Sequence, residues 1–362
     1  MSVLDDPNAP PLRVLELRDD AVGLEAFIVV DHELFPRSAG GTRMVPDVTV
    51  DEVARLARAM TWKFGVAHVP LAGAKAGIRF PGGDAAARER VLSAYVDRIL
   101  AMRDVFGTGP DMGTHPSDFL RLAPEGRTPM WARTHDGMGM DDLAVGAGIL
   151  GAARAALAAL GRPLEGARAA IEGFGKAGAG TAHALARAGA RIVGVSTIEG
   201  ALLDPEGLDV DVLLALKAEH GDRLVHHAGV PVRPREELAA VECDVLVPGA
   251  RPDFVTVDTA PLLRCAAIVP AANIPYGPGA VEALHARGIL ALPDFVANAG
   301  GVHLYEAPGC EGDDPAACLA EVERLIREAS ERVLAAAEAD GVTPTKAAQR
   351  VALDFLRAAA PR

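Results

Sequence analysis

The sequence predicts an α/β protein of two domains whose C-terminal helices return to pack on the first domain. The chain has 362 residues, which suits about two domains that each bury a core. Over the second half, short apolar runs alternate with helical patterns, as in βαβ units around a parallel sheet. We expect a first domain over residues 1–140, to which residues 330–362 return, and a second domain over residues 141–329.

The first domain opens with two predicted strands, LRVLELR and LEAFIVV, joined by a turn at two aspartates. A helix is expected over residues 50–65, because Thr49 and Glu52 form a capping box before apolar residues at helical spacing. A glycine-rich loop with the sequence PLAGAKAGI follows, and then a helix near residues 85–103. A free edge on the strand pair would suit a homo-oligomer.

The second domain is introduced by an alanine-rich helix over residues 143–160. Five apolar segments then predict its strands: ARAAIEG, RIVGVS, CDVLVPGA, AAIVPAA and GILALPD. The last fifty residues predict two helices. One lies near residues 314–339 and is ended by Gly341, and the other is opened by Thr343 and Pro344.

The composition disfavours several kinds of partner. Half of the residues are hydrophobic, 23% are charged, and the formal net charge is −13. Because the chain also lacks a long Lys/Arg run, we expect neither nucleic acid nor an anionic membrane as a partner. There is no uninterrupted apolar run of about 18 residues and no basic-then-apolar N-terminal signal. A soluble, cytoplasmic protein is therefore the expectation.

The four cysteines form no C-x-x-C pair, and we predict no metal site. Cys310 and Cys318 share a polar loop and could be bridged. In a cytoplasmic chain, however, free thiols are the expected state.

Two lysines and an aspartate carry the chemistry of the first domain: Lys63, Lys75 and Asp111. Lys63 lies in the apolar stripe of the predicted helix, although a lysine that snorkels past the helix end is the structural alternative. Lys75 stands among small residues, where backbone can approach a ligand closely. Two ammonium groups near one cleft disfavour each other's charge, so one of them could act as a neutral base. Without the lysines, Asp111 would read as a turn carboxylate.

A G-x-G-x-x-G motif stands between a predicted strand and a predicted helix. It consists of Gly173, Phe174, Gly175, Lys176, Ala177 and Gly178. Its glycines allow a tight turn and close approach of backbone to a pyrophosphate, while the helix N-terminus supplies positive potential. This context predicts a Rossmann-type, doubly wound dinucleotide-binding domain, and the alternative is a glycine-rich turn that binds nothing.

The nucleotide preference depends on the end of the next strand. About twenty residues after the motif, an acid would hold the ribose 2′-hydroxyl of NAD. This chain has Ser196 and Thr197 there. The missing carboxylate removes the main repulsion against a 2′-phosphate, so NADP is allowed and NAD is not assured.

Six segments carry a resemblance to a known family. They are GGTRM at 40–44, MTWK at 60–63, PLAGAKAGI at 70–78, PDMGT at 110–114, GFGKAG at 173–178 and PDFVANAGGV at 293–302. Their order and spacing resemble the signature of the glutamate/leucine/phenylalanine/valine dehydrogenase family. The resemblance implies reversible NAD(P)-dependent oxidative deamination of an L-amino acid to a 2-oxo acid and ammonia. It also implies a cleft between a substrate domain and a Rossmann domain, and a homo-oligomer.

The same resemblance assigns roles to individual residues. Lys63 would bind the substrate α-carboxylate, and Lys75 would be the base that activates water. Asp111 would shuttle protons to and from the substrate nitrogen. Asn298 in VANAGGV and Asn273 in PAANIP would meet the nicotinamide end of the cofactor. The alternative for each is a turn asparagine, and this alternative is stronger for Asn273.

Departures from the family pattern bear on the substrate. Glutamate-specific members usually place a lysine just before the GG pair, where this chain has Ala39, and a serine three residues after GGV, where it has Tyr305. Without that lysine, a buried γ-carboxylate would be uncompensated, so we expect an apolar amino acid rather than glutamate. The predicted substrate contacts are Lys63, Ala39, Gly40, Gly109, Val302, Tyr305 and Asn298.

Two other functions stay open on the sequence alone. A 2-hydroxy-acid dehydrogenase would need an imidazole acid–base partner, and His68, His115 or His135 could be proposed, although none has the context of the lysine pair. A nucleotide-binding scaffold with reduced turnover is the second. It is made plausible by Val145, where many members have threonine, and by PAAN around Asn273, where the family often reads EGAN.

Overall fold

The computed structural model describes residues 9–123 and 128–360 and confirms the predicted two-domain α/β fold. The chain divides into two compact units. The first runs up to Ala132 and takes in the residues from Val351 onwards, and the second is Arg133–Arg350. The unit boundaries therefore fall after Ala132 and after Arg350, where the sequence placed them at residues 140 and 330.

A six-stranded sheet forms the centre of the first unit, in the order β1-β2-β5-β3-β6 with β4 beside β5. The strands are β1 (Arg13–Asp19), β2 (Leu24–Val30), β3 (Ser38–Ala39), β4 (Thr42–Val45), β5 (Ala72–Arg79) and β6 (Phe106–Gly107). The predicted antiparallel pair, β1 and β2, is present, and β1 lies at an edge of the sheet.

The segment PLAGAKAGI is not the predicted glycine-rich loop. It contains β5, a buried strand that is antiparallel to β2 and parallel to β3 and β4. Small residues let neighbouring elements approach this strand: a Cβ on Gly73 would lie only 2.3 Å from the backbone nitrogen of Thr61. The glycines thus serve close packing of a strand rather than a turn.

The helices α1 (Val50–Val66) and α2 (Ala85–Ala101) cover opposite faces of this sheet. As predicted, Thr49 caps α1, because its side chain accepts a hydrogen bond from the Glu52 N–H. One apolar cluster joins α1 to one face of β2: Phe27, Val29, Val48, Val53 and Ala57. The other face packs against α2 through Ala74, Ala76, Ile78, Val91, Leu92 and Tyr95.

A seven-stranded sheet forms the centre of the second unit, in the order β12-β11-β10-β9-β13-β14-β15. A separate hairpin, β7 (Thr134–His135) and β8 (Met138–Gly139), precedes it. The sheet strands are β9 (Arg168–Glu172), β10 (Arg191–Thr197), β11 (Gly200–Leu203), β12 (Val232–Arg233), β13 (Val245–Pro248), β14 (Ala267–Ile268) and β15 (Leu290–Ala291). All five predicted strands are present, and they pair in parallel.

The second unit contains seven α-helices among its described residues. They are α3 (Met140–Ala159), α4 (Lys176–Arg187), α5 (Val210–His220), α6 (Ala280–Ala286), α7 (Asp294–Ala297), α8 (Gly300–Glu306) and α9 (Pro315–Asp340). The helix α3 is long and apolar enough to cross a membrane. Most of it is buried in the fold, as the core helix of a soluble protein would be, so its length and composition are only weak evidence for a membrane span. It packs closely along α9, because a Cβ on Gly151 would lie 2.3 Å from the Glu323 carbonyl oxygen.

The last helix, α10 (Pro344–Ala359), carries the chain into the first unit. There a Cβ on Gly65 would lie 2.7 Å from that of Ala352, and the ring of Phe355 stacks on His68 at 4.7 Å. Because α9 belongs to the second unit, the return to the first unit begins at Val351.

Cys310 and Cys318 form a disulfide, which corrects the expectation of free thiols. A turn, Pro308–Cys310, follows α8 and brings Cys310 back onto the first turn of α9, where Cys318 lies. Their Cα atoms are 4.6 Å apart, within the range that a disulfide spans. Cys243 and Cys265 are free.

Candidate functional site

A buried ion pair between Lys75 and Asp111 forms the centre of the candidate site in the first unit. Lys75 Nζ lies 3.0 Å from Asp111 Oδ2, and the two side chains are 9% and 17% exposed. The strand β5 carries Lys75. Asp111 follows β6 in a loop that Thr114 fastens to β4, because Thr114 Oγ1 accepts from the Asp111 N–H and donates to the Thr42 carbonyl oxygen, both at 2.9 Å.

Arg43 adds a second cation beside Asp111. Its Nε lies 3.4 Å from Asp111 Oδ2, and its far end pairs with Glu52. Burial alone would raise the pKa of Asp111, but the Lys75 ammonium, the Arg43 guanidinium and a hydrogen bond from the Met112 N–H lower that pKa to about 2. Asp111 is therefore a carboxylate at neutral pH. The sequence analysis gave Arg43 no role, although it lies within the GGTRM segment.

Lys63 lies on the same side of the sheet as Lys75. It is in the last turn of α1 and is 9% exposed. Lys75 pairs across the strands with Val29, which belongs to the apolar cluster under α1. Residues paired across neighbouring antiparallel strands share a face of the sheet. Lys63 therefore belongs to the helix that covers the face of the sheet on which Lys75 lies.

Glycines allow the backbone to come close to this pair. A Cβ on Gly41 would lie 3.1 Å from Lys75 Nζ, and one on Gly40 would overlap the Ala74 carbonyl oxygen at 1.6 Å. The ends of β3 and β6 hold the other small residues predicted to line the pocket: Ala39 pairs with Gly107, and the Gly109 carbonyl oxygen accepts from the Thr42 N–H at 2.9 Å.

In the second unit, the glycine-rich motif follows β9 and begins α4, as predicted. Gly173 has a φ of +89°, and a Cβ on Gly178 would lie 1.8 Å from the Gly173 carbonyl oxygen, so both positions require glycine. Gly175 is the N-cap of α4, and no side chain in the described part of the chain caps it. Space above Gly175 is open. The loop thus fits an anion held by the N–H groups of the first helical turn.

The end of β10 supplies the neighbouring polar groups. Ser196 Oγ accepts a hydrogen bond from the Gly173 N–H at 3.1 Å, and Thr197 Oγ1 donates to the Asp222 carbonyl oxygen at 2.9 Å. Two residues further, Glu199 lies in the turn to β11, with a carboxylate oxygen 3.7 Å from His226 Nε2. Glu199 was not predicted from the sequence, because it lies two positions beyond Thr197, where an acid was expected.

Asn298 and Asn273 lie in contact. The Asn298 Nδ2 group donates to Asn273 Oδ1 at 3.0 Å and lies near the carbonyl oxygens of Ala271 and Ala272 at 3.3 and 3.2 Å. Among the described residues, Asn298 Oδ1 is buried without a hydrogen-bond partner. A buried acceptor of this kind needs a donor, and an amide N–H of a bound ligand would supply one.

The helix α8 follows Asn298 and carries the other two predicted pocket residues, Val302, which is buried, and Tyr305, which is partly exposed. Within the ranges that the structure describes, no group of three or more His, Cys, Asp or Glu side chains could hold a metal ion. Each unit thus has its own set of candidate residues.

Sequence comparison finds close relatives for both units. A family model described as Glutamate/Leucine/Phenylalanine/Valine dehydrogenase matches residues 137–360, and a model described as Glu/Leu/Phe/Val dehydrogenase, dimerisation domain, matches residues 12–125. The NADP-specific glutamate dehydrogenase of Saccharolobus shibatae is 33% identical over 277 residues, which are 73% of this chain and 65% of that protein. The chain thus spans just under two thirds of that relative.

Solved structures have the same fold. The hetero-hexameric glutamate dehydrogenase from Thermus thermophilus, in a Leu-bound form, matches with a TM-score of 0.80 and 27% identity over 96% of this chain and 89% of its own. The L-tryptophan dehydrogenase from Nostoc punctiforme matches with a TM-score of 0.69 and 23% identity over 97% and 96% of the two chains. At that identity, the second likeness shows the fold alone.

Proposed function

The chain belongs to the Glutamate/Leucine/Phenylalanine/Valine dehydrogenase family, and from this premise we propose that it catalyses the reversible oxidative deamination of an L-amino acid. Amino acid, water and NAD(P)⁺ would give 2-oxo acid, ammonia, NAD(P)H and a proton. The observation that carries the proposal is the buried pair of Lys75 and Asp111, with a second buried lysine, Lys63, on the helix that covers the same face of the sheet.

Lys63 would bind the substrate α-carboxylate. An ammonium that is mostly buried keeps a fixed position, so it would orient the substrate Cα hydrogen for transfer. The chemistry that a bound nicotinamide ring supplies is acceptance of that hydrogen as a hydride. Residues that would hold the dinucleotide are those of the glycine-rich loop (Gly173–Gly178), Ser196 and Thr197 at the ribose, and Asn273 and Asn298 at the carboxamide.

Lys75 would act as the base for the water molecule. After hydride loss, the substrate carbon is an iminium carbon, and water attacks it once Lys75 has taken a proton from that water. Asp111 lies 3.0 Å from Lys75, so it can exchange a proton with this lysine and deliver one to the departing nitrogen. The C–O bond forms as neutral Lys75 takes the water proton, and Asp111 accepts that proton from Lys75 and passes it to the nitrogen. Lys75 then takes the proton of the new hydroxyl group, the C–N bond breaks, and the 2-oxo acid and ammonia leave.

An apolar side chain on the substrate is the preference that we propose. Ala39 stands where glutamate-specific members have a lysine, and it pairs with Gly107 in a part of β3 and β6 built of small residues. A γ-carboxylate there would have to leave water without the cation that usually compensates it. Tyr305 would contact the far end of the side chain.

We also propose that the protein is a homo-oligomer located in the cytoplasm. The strand β1 is an edge strand whose residues are largely exposed, so its backbone groups can pair with a second copy. Consistent with this, the family model that matches residues 12–125 is described as a dimerisation domain.

Initial rates with a panel of 2-oxo acids test the proposal. The panel contains aliphatic, aromatic and dicarboxylic acids, each assayed with NADH and NADPH, with and without ammonia. We expect ammonia-dependent loss of reduced cofactor that is fastest with an apolar 2-oxo acid. Turnover without ammonia would indicate a hydroxy-acid dehydrogenase, cofactor binding without turnover would indicate a scaffold, and fastest turnover of 2-oxoglutarate would overturn the apolar preference.

A further inference from the structure

Lys217 lies outside every motif used above, yet it contacts the glycine-rich loop. We infer that Lys217 is a positioning residue, which holds this loop in the conformation that binds the dinucleotide. The inference rests on the proposed use of NAD(P) and adds a residue that is distant from the loop in sequence.

The contact is direct. Lys217 lies in the last turn of α5, and its Nζ donates a hydrogen bond to the Phe174 carbonyl oxygen at 2.6 Å. The same ammonium lies 5.9 Å from the centre of the Phe174 ring, within range of a cation–π attraction. Phe174 is fully buried, so its backbone cannot drift from the lysine without disturbing the packing of its ring.

The peptide plane transmits this contact to the anion site. The Phe174 carbonyl and the Gly175 N–H belong to one trans peptide group, in which they point in opposite directions. Holding the carbonyl on Lys217 therefore directs the Gly175 N–H away from α5. Gly175 is the N-cap of α4, and its N–H adjoins those of the first helical turn that would meet the pyrophosphate.

Two further hydrogen bonds complete the restraint from the opposite side. The Gly173 N–H donates to Ser196 Oγ at 3.1 Å, and the Phe174 N–H donates to the Ser196 carbonyl oxygen at 2.7 Å. The dipeptide Gly173–Phe174 is thus fixed to β10 by its N–H groups and to α5 by its carbonyl. Of these three hydrogen bonds, the one from Lys217 has a positively charged donor.

The surroundings act on that charge in both directions. Burial lowers the pKa of Lys217, but the carboxylates of Asp222 and Asp142 oppose that effect. A cation at this position also adds to the positive potential at the start of α4, which favours an anionic ligand. A methionine at residue 217 would fill similar space and remove only the donor and the charge.

Cofactor titration of three variants tests the inference. NADPH fluorescence gives the dissociation constant, and the upward shift of the melting temperature with NADP⁺ gives a second measure that needs no turnover. We expect Lys217→Met to bind about tenfold more weakly, as for loss of one charged hydrogen bond. Lys217→Arg keeps a charged donor and should bind close to wild type. Lys346→Met, which alters an exposed lysine of the same unit, should change nothing.

A structural role alone predicts a different pattern. It would lower the melting temperature of Lys217→Met without weakening the binding of NADPH. Wild-type affinity for NADPH in this variant therefore overturns the inference. If Lys217→Met does not fold, Lys217→Gln replaces it. That variant keeps a neutral donor, so it should bind the cofactor more weakly than wild type but by less than about tenfold. Wild-type affinity would again contradict the inference. The titrations need no turnover. A chain that binds NADPH but deaminates no amino acid would refute the proposed reaction, and the dissociation constants of the variants would still test the role of Lys217.

Discussion

Replacing Asp111 by asparagine should reduce both stability and turnover, because this carboxylate balances two buried cations. The pKa of Asp111 is lowered from 3.8 to about 2, which corresponds to stabilisation on the order of 2 kcal/mol at neutral pH. Asparagine also removes the carboxylate that Lys75, 9% exposed, pairs with, and leaves Arg43, 12% exposed, with Glu52 alone of its two carboxylates. We therefore expect the free energy of unfolding to fall by about 3 kcal/mol, near the lower end of the range for breaking a buried pair.

The pH dependence of this effect has a defined sign. The pKa of Asp111 is lower in the folded than in the unfolded protein, so the unfolded state binds protons more readily. The stabilisation is present above an unfolded pKa of 3.8 and is lost as the pH falls through about 2. Wild type and Asp111→Asn should thus differ most at neutral pH and begin to converge below about pH 4.

Urea unfolding and steady-state rates of the same preparations provide the assay, and Asp118→Asn provides the control. Asp118 pairs with Arg88 at 2.7 Å in the same unit but outside the site. We expect the control to lose stability and keep its kcat, whereas Asp111→Asn should lose kcat by about 10²-fold or more. If Asp111→Asn lost stability but kept its kcat, the pair would be structural only. If Asp111→Asn lost neither stability nor kcat, Asp111 would not stabilise the fold by balancing the buried cations beside it.

Four further outcomes are expected. Lys75→Ala should lower kcat at least about 10²-fold with unchanged circular dichroism, and near-normal turnover would exclude Lys75 as the base. Burial and the charge of Asp141 raise the pKa of Asp142 to about 6, so any stabilisation from its protonated form is lost as the pH rises through that value. Asp142→Asn should therefore raise the free energy of unfolding at neutral pH by about 1 to 2 kcal/mol, after allowance for solvent screening, and equal urea midpoints would contradict this. Glu199→Gln should raise kcat/KM with NADP⁺ relative to NAD⁺, because a carboxylate repels the 2′-phosphate, and an unchanged ratio would remove Glu199 from the ribose site. Cys318→Ser opens a bridge between residues eight apart and should lower the free energy of unfolding by about 2 to 3 kcal/mol, an effect that Cys265→Ser, at a free and partly exposed cysteine, should not reproduce.

The elements predicted from sequence are those whose signals are local. The helix α1 has a capping residue and an apolar stripe within a single run of residues, and β9 and β10 are short apolar runs beside a glycine-rich turn. The strand β5 lacks such a signal. Its buried residues are mostly alanine and glycine, which have weak strand preference, so only the pairing with β2, β3 and β4 identifies it as a strand.

The residues of the candidate site also divide into those with a local signal in the sequence and those without one. Lys63 and Lys75 are visible in the sequence because a charge stands among apolar or small neighbours. Arg43 and Lys217 are not, since each acts on a residue that is distant in sequence, Asp111 and Phe174 respectively. The disulfide was missed for a related reason: the turn that brings Cys310 onto α9 exists only in the fold, while compartment statistics favoured free thiols.

The misread strand also explains how Lys75 comes to be buried beneath the helix that carries Lys63. Along β5, the residues on the α1 side alternate with those that face α2, so Lys75 stands between Gly73 and Gly77. Because Gly73 has no Cβ, the backbone of α1 approaches β5 at Thr61, two residues before Lys63. The backbone of α1 fills the space beside Gly73, and the side chains of Phe27 and Val48 fill the space beside Gly77, so Lys75 is enclosed on both sides. The small residues that resemble a flexible loop in the sequence are therefore the condition for placing a buried ammonium in the middle of a sheet.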